Sequence, residues 1–388
     1  MKLLVDGVFF QLAGSGIARV WQSVLPALAA IEGLDVLVLD RGGMPVLEGV
    51  TRIPFPTYKD LYTADDSELI QRICDFYTVD VFTSTYYTTP LSTPMFLVVY
   101  DMIPELFEFD LAHRHWQEKA VAIAYARRHI AISQSTRKDL LACYPTLDHV
   151  SVAHPGFDRA VFHPVGEERV AAFRQRIGFD QRPYLVTVGS REQHLNYKNG
   201  ALLFDTVATF GIDAFDILCI GGEPTIAPQK LAALPPAVKA TQISLTDDDL
   251  AAALSGATGL IYPSLYEGFG LPVLEAMACG CPVVTTARGS LPEVTGDACV
   301  IIDGVSRPEM AAALAKLTSA AVRDGLRRAG LEQAALFDWS ALVSAVADAA
   351  RETAKLGQEA DYQAFAETWQ SLRRLQAAVD VNTWVPTT

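Results

Sequence analysis

The stretch richest in chemistry is 261–286, IYPSLYEGFGLPVLEAMACGCPVVTT. An apolar run ends at Pro263, and an acidic, glycine-rich turn follows, Glu267-Gly268-Phe269-Gly270. Pro272 suits the first position of a helix, where a missing N–H is no loss. Gly280 ends that helix, and the next apolar run starts at once. The helix N-terminus presents unpaired N–H groups and positive potential, a place for phosphate or for developing negative charge. Gly268 and Gly270 let backbone N–H groups approach a ligand without an intervening β-carbon. Glu267 lies in the turn and Glu275 one turn into the helix. Buried carboxylates need donors, which the hydroxyls of a hexose and a ribose would supply. Alone, two glutamates at this spacing would read as a solvated loop acid and a helix-favouring residue. Their setting in EGFGLPVLEAMACGCPVV is what gives them weight.

Such a turn must be carried by a strand and a helix, and the chain supplies that unit repeatedly. Apolar runs at 2–8, 34–39, 79–83, 95–100 and 129–132 predict strands of one domain, with a helix over 17–30 after the loop Gly14-Ser15-Gly16. A second series follows at 184–188, 216–220, 259–262, 282–286 and 299–302, with helices from about 199 and over 307–319, 321–336 and 339–356. Strand–turn–helix alternation predicts parallel, doubly wound α/β sheets, whose ligands sit beyond the carboxyl ends of the strands. The expected boundaries are an N-terminal Rossmann-like domain over 1–165, a linker over 166–182, a second such domain over 183–350, and a C-terminal helix and tail over 351–388 that packs back on the first.

Bulk properties narrow the function. The 388 residues carry a formal net charge of −14, from 31 basic and 45 acidic side chains. That disfavours nucleic-acid binding, which needs a basic face, but leaves room for a phosphorylated small molecule. No apolar run reaches the ~20 residues of a membrane span, and MKLLVDGVFF meets Asp6 too early for a secretory leader. A cytoplasmic setting is the expectation. The six cysteines are scattered without a CxxC, so Cys279 and Cys281 read as small buried thiols. Asp247-Asp248-Asp249 contains a D-x-D, a metal-binding pattern, yet TDDDLAAAL reads as the cap and acidic first turn of a helix. Residues 111–129, with Arg114, Lys119, Arg127, Arg128 and Trp116, could form a basic helix resting on a membrane or an ordinary surface helix; the net charge favours the latter.

The 261–286 stretch resembles the donor-site signature of glycosyltransferase family 4, retaining enzymes of the GT-B fold. Residues 14–19 (GSGIAR), 100–104 (YDMIP) with Trp116 and Lys119, 131–140, 154–164, 187–199 (TVGSREQHLNYKN) and 288–298 agree in the order that family shows. The resemblance covers about residue 3 to residue 350 and is nearest to mannosyltransferase-like members. It implies two facing Rossmann-like domains with an interdomain cleft. It also implies transfer of a hexose from a nucleoside-diphosphate sugar, with GDP-mannose the suggested donor, to a sugar hydroxyl of a glycan or lipid-linked glycan.

Carried over by position, the resemblance gives Gly16 a backbone N–H for the donor's distal phosphate. Arg191 and Lys198 would grip the diphosphate. Glu267, with the backbone of Gly268, Phe269, Gly270 and Leu271, would hold the transferred sugar and the departing phosphate. Glu275 would take the ribose hydroxyls. Asp101 would lie beside the reacting sugar, or merely satisfy the turn before Pro104. Two cations and helix N-termini can stabilise the leaving group electrostatically, so no metal and no cofactor beyond the donor is expected. Where the family often has histidine this chain has Tyr100, so no catalytic histidine is assigned; His154 reads as a turn residue. His194 and Asn196 make the phosphate loop unusually polar. Two rivals stand beside this reading: a sugar-nucleotide epimerase of the same fold, and a catalytically silent binding partner. At most peripheral contact with an inner membrane face is expected.

Overall fold

The computed structural model describes residues 1–11, 15–58, 63–107, 109–179, 182–191 and 197–384, the side chains of 63–65, 114, 115 and 379–384 excepted. Gly14, His194, Asn196 and the side chain of Arg114 therefore lie outside the described residues. The chain divides into two compact units, Met1–Pro155 together with the chain from Trp339 onward, and Gly156–Asp338.

These boundaries differ from the expected ones at both ends. Residues 156–182 belong to the second unit, because the helix Glu167–Ile177 packs on the helix Asp247–Ser255. Arg174 fastens it further by donating to the carbonyls of Phe179 and Arg182. The return to the first unit comes at Trp339 rather than after 350. The helix Ser340–Leu356 buries Leu342, Val346, Ala347 and Ala350 on one stripe, and that stripe meets the first unit's strands.

In the first unit, β1 (Lys2–Asp6), β2 (Asp35–Asp40), β3 (Thr51–Pro54) and β4 (Val81–Ser84) form a parallel sheet of order β3-β2-β1-β4. A parallel bridge from Phe82 to Met95 leads on to β5 (Phe96–Val99), β6 (Arg128–Ala131) and β7 (Val150–Val152), paired in that order. The second unit carries β8 (Tyr184–Val188), β9 (Asp216–Ile220), β10 (Ala240–Ile243), β11 (Gly259–Tyr262), β12 (Val283–Thr286) and β13 (Val300–Ile302), all parallel in the order β10-β9-β8-β11-β12-β13. Central strands such as LLV in β1 and VLVL in β2 are apolar throughout because helices cover both faces of a parallel sheet. Each unit thus has one switch point, where strand order reverses: between β1 and β4 in the first, between β8 and β11 in the second.

The helix Ala360–Trp384 completes the first unit's core. The Tyr362 hydroxyl donates to the Ser92 carbonyl and lies 3.1 Å from the Tyr125 hydroxyl, and Trp369 stacks 5.0 Å from Tyr125. Farther along, Arg373 meets both carboxylate oxygens of Glu118 at 3.3 and 3.1 Å, with both residues buried. A buried charge pair of this kind fixes geometry more than it adds stability.

The stretch weighed as a membrane helix forms Arg114–Tyr125, and its cations mostly face protein. Lys119 is fully buried and donates to Glu105 at 2.8 Å and to the Asp101 carbonyl at 3.0 Å. Arg127 stacks over Phe365 at 3.5 Å, and Arg128 approaches Glu352 at 3.0 Å. Lys119, Arg127 and Arg128 are therefore engaged inside the unit. Among the described residues, no helix is long and apolar enough to cross a membrane.

Candidate functional site

The loops after β8 and β11 flank the second unit's switch point, and they bring Lys198 to Glu267. The Lys198 ammonium donates to Oε1 and Oε2 of Glu267 at 2.8 and 3.0 Å and to the Tyr262 hydroxyl at 3.0 Å; that hydroxyl in turn donates to Glu267 Oε1 at 2.8 Å. Glu267 is 7% exposed. Burial alone would lower the Lys198 pKa, but the facing Glu267 carboxylate more than offsets it and holds the ammonium well above its ordinary range. The same burial, with Glu267 beside it, pushes the Tyr262 phenol up.

Both loops are sewn together by backbone and side-chain bonds. The Tyr197 carbonyl accepts from the Leu265 N–H at 2.6 Å and from the Ser264 hydroxyl at 2.9 Å. Asn199 adopts φ +52°, a left-handed conformation that asparagine tolerates, and its side-chain amide donates to the carbonyls of Pro263 and Gly304. One asparagine thereby ties the loops after β8, β11 and β13, with Lys198 held at its shoulder. The Glu267 turn is braced from behind, where the Ser290 hydroxyl donates to the carbonyls of Glu267 and Phe269 at 2.9 and 2.8 Å. Ser290, Asn199 and Tyr262 were not singled out from sequence, although each lies within or beside a motif that was.

Gly270 has φ +102°, and a β-carbon there would lie 2.9 Å from Leu291 Cδ2, so the turn requires glycine. It caps the helix Leu271–Ala278. Leu271, not Pro272, is the first helical residue; Pro272 takes the second position, where its missing N–H is equally harmless. The helix ends in a Schellman motif through Gly280 at φ +69°, with the Cys281 N–H bonding the Ala276 carbonyl and the Gly280 N–H the Met277 carbonyl. Glu275 lies on this helix at 2% exposure, one turn from its start. Phe269 offers only its backbone to the turn, because its ring packs edge-on against Phe337 at 5.8 Å. Gly268 is buried between Glu267 and Phe269, and Leu271 is half-buried.

Arg191 is placed differently from expectation. Its guanidinium is turned back beneath the loops: Nη1 donates to the carbonyls of Gly189 and Gly221, and Nη2 to that of Glu223. Its backbone N–H meets the Glu223 carboxylate at 2.9 Å, and the Lys230 ammonium donates to its carbonyl at 2.6 Å. Gly222 permits this approach, since a β-carbon would meet the Gly189 carbonyl oxygen at 2.3 Å. At 3% exposure Arg191 is a brace for the β8 and β9 loops in this conformation. Lys230, at the rim of that brace, is a cation the sequence reading passed over.

The remaining predicted residues, Gly16 and Asp101, belong to the first unit. Gly16 is exposed and opens the helix Gly16–Ala29, whose N-cap Ser15 accepts from the Ala18 N–H. Asp101 Oδ1 accepts from the Ile103 N–H at 3.0 Å, the turn-satisfying role foreseen as its alternative. Tyr100, where a histidine was considered, is buried, and its hydroxyl accepts from the Trp21 indole at 2.5 Å. The Asp247–Asp249 run opens the helix Asp247–Ser255, with the Thr246 hydroxyl accepting from the Asp249 N–H. Its acids pair with Arg169 and Arg176, as a capping turn would.

Residues 182–320 match the family model described as Glycosyl transferases group 1. Alpha-maltose-1-phosphate synthase of Mycobacterium tuberculosis (strain CDC 1551 / Oshkosh) is 34% identical over 194 residues, 47% of this chain and 49% of that protein. O-antigen chain mannosyltransferase B of Escherichia coli is 45% identical over 94 residues, 24% of this chain and 25% of that protein. The chain thus spans about half the length, or less, of these relatives. Among solved structures, WaaG, a glycosyltransferase involved in lipopolysaccharide biosynthesis, superposes with TM-score 0.70 at 18% identity, over 90% of this chain and 99% of that one. Anabaena Alr3699/HepE in complex with UDP-glucose gives TM-score 0.71 at 16% identity, over 90% and 98%. The fold is GT-B, with a C-terminal helical extension.

Proposed function

We propose that this chain, whose residues 182–320 match the family model described as Glycosyl transferases group 1, transfers a hexose from a nucleoside-diphosphate sugar to a saccharide hydroxyl, with retention of configuration and without a metal. The observation that carries the reading is the Lys198–Glu267 pair at the second unit's switch point, beside a helix N-terminus. In the reaction the bond from the anomeric carbon to the distal phosphate oxygen breaks, and its electron pair leaves with the nucleoside diphosphate. The acceptor oxygen forms the new bond on the same face, and its proton passes to the departing phosphate. Negative charge grows on the phosphate as that bond opens. In this reading the Lys198 ammonium, kept protonated by Glu267, and the N-terminus of the helix Leu271–Ala278 meet it.

Glu267, at the turn that holds Lys198, accepts from the hexose hydroxyls, and Glu275, one turn into the helix Leu271–Ala278, from those of the ribose. Arg191 supports the site by holding the two loops, and reaches the diphosphate only if its carbonyl bonds are exchanged for phosphate. A mannose-like donor with GDP is the first to test, given the mannosyltransferase among the similar proteins. The test is a thermal-shift panel of nucleoside diphosphates and their sugars, followed by mass spectrometry of reactions containing EDTA. Stabilisation by one nucleotide family and an acceptor-dependent glycoside product are expected. Donor consumption without an acceptor product would instead indicate the epimerase, and activity abolished by EDTA would overturn the metal-free mechanism.

A further inference from the structure

The ion pair at the second unit's switch point joins two loop residues, and a third residue, on the sheet itself, touches both. Lys198 follows β8 and Glu267 follows β11, whereas Tyr262 is the last residue of β11. Its backbone is fixed on both sides. It stands opposite Thr285 of β12, whose hydroxyl donates to the Tyr262 carbonyl at 2.7 Å. The next carbonyl, that of Pro263, accepts from the Asn199 amide at 3.1 Å. Groups carried on strands are held more precisely than groups carried on loops.

Phenylalanine would fill the same space, and a hydroxyl on a residue only 3% exposed is costly unless it is hydrogen-bonded. Among the described residues, both partners of this hydroxyl belong to the pair: it accepts from Lys198 at 3.0 Å and donates to Glu267 Oε1 at 2.8 Å. Lysine has no acceptor, so the direction of the two bonds is fixed. Lys198 Nζ, Tyr262 Oη and Glu267 Oε1 close a triangle whose third side is the 2.8 Å bond from Lys198 to Oε1. These acceptors lie together on one side of the ammonium, and its three tetrahedral N–H groups cannot all point there. One N–H therefore faces outward from the triangle, and 24% of the lysine side chain is exposed.

Burial, with Glu267 beside it, keeps the phenol protonated, so the hydroxyl orients its partners rather than giving up a proton. When the ammonium turns toward a phosphate, the carboxylate would otherwise be left short of a donor. The Tyr262 hydroxyl stays on Oε1, and the carboxylate keeps its orientation. We infer that Tyr262 is a positioning residue of the donor site: its hydroxyl fixes the Glu267 carboxylate that receives the hexose, and so governs engagement of the sugar but not of the nucleoside diphosphate.

This inference rests on the proposed transferase reading for the identity of the ligand, and its test separates the two. Wild type, Tyr262→Phe, Glu267→Ala and the double variant are titrated calorimetrically with GDP and GDP-mannose and with UDP and UDP-glucose. Glycoside formation is then assayed with the nucleotide sugar that binds, and circular-dichroism melts are recorded alongside. In Tyr262→Phe, affinity for the bare nucleoside diphosphate should stay within about twofold, because Lys198 keeps its charge and both its contacts to Glu267. Affinity for the nucleotide sugar should weaken roughly threefold to tenfold, the worth of one hydrogen bond, and kcat should fall about tenfold. In the Glu267→Ala background the same substitution should alter sugar binding and rate by no more than about twofold, a pattern that general loosening of the fold would not produce. Equal loss for bare nucleotide and nucleotide sugar, no loss at all, or a full further loss in the Glu267→Ala background would each overturn the role of Tyr262. The expected binding pattern in a wild type that forms no glycoside would overturn the transferase reading and leave the positioning role standing. A wild type that binds none of the four ligands would overturn both.

Discussion

Replacing Lys198 by methionine keeps most of the stem and removes the ammonium, leaving the Glu267 carboxylate with Tyr262 alone of its two named donors. Breaking a fully buried pair from one side costs about 3–5 kcal/mol. Here 24% of the lysine side chain and 9% of the glutamate side chain are exposed, and water can partly replace the lost charge. The expected cost is therefore nearer ~2 kcal/mol, a melting temperature lower by roughly 4–8 °C for a unit of this size. Glu267→Gln should destabilise by a similar or smaller amount. In the double variant neither charge is stranded, so the two losses should fall short of adding by at least about 1 kcal/mol. Activity should behave otherwise. Each single variant should lose roughly one to two decades in turnover, and the double variant should recover stability without recovering rate. Because the folded pKa of Lys198 lies above the ordinary lysine value of about 10.4, the pair's contribution is complete below that pH and is lost only as pH rises through the folded value. Melts and assays between pH 6 and 9 thus compare the variants fairly. Additive stability losses, or a Lys198→Met enzyme at full rate, would refute this account of the pair.

Three further outcomes follow from buried features. Burial, partly countered by the Ile123 carbonyl and reinforced by Arg127, holds His129 down at about 4. Since the unfolded value is about 6.5, its neutral form supports the fold fully above that pH, and roughly 3 kcal/mol is lost as pH falls toward 4. Urea melts at pH 7, 5.5 and 4.5 should show this slope in wild type and a flatter one in His129→Gln, and parallel slopes would contradict it. Arg373→Met strands the fully buried Glu118 and should destabilise the first unit by about 3 kcal/mol, with earlier proteolytic cutting of the helix Ala360–Trp384 and relief on adding Glu118→Gln. Gly270→Ala forces a β-carbon into a left-handed turn 2.9 Å from Leu291, at a cost of about 1–2 kcal/mol from backbone alone. Calorimetry should find donor affinity at least tenfold weaker, while unchanged affinity would show that the turn does not touch the donor.

The parts of the fold legible in sequence were those where burial writes a pattern. The central strands are apolar runs because both faces are covered, and the helix from Leu271 announces itself by the proline and glycines at its ends. Strands Thr51–Pro54, Val150–Val152 and Ala240–Ile243 escaped the reading because all are edge strands, short and partly exposed, with no apolar run. The boundary at Trp339 was invisible because the helix Ser340–Leu356 has the same amphipathic stripe whichever unit it packs on.

At the site, the EGFG turn, Lys198 and Glu275 were readable as residue types, whereas their wiring was not. Arg191 shows why: a cation after a strand reads the same whether it faces a phosphate or folds back onto the carbonyls of Gly189 and Gly221. The loops that the left-handed Asn199 ties together are far apart in sequence, and only the strand order of the second unit's sheet brings them side by side.

The most direct trial of the Lys198–Glu267 turn as a sugar-transferring site is proton NMR of a reaction containing wild type, a nucleoside-diphosphate hexose, a neutral saccharide and EDTA, run in parallel with Glu267→Gln. The predicted spectrum shows a new glycoside of the donor's own anomeric configuration, growing only with acceptor present and slowed at least tenfold by the substitution. Donors left intact by wild type, an inverted product, or equal rates from the two proteins would contradict it.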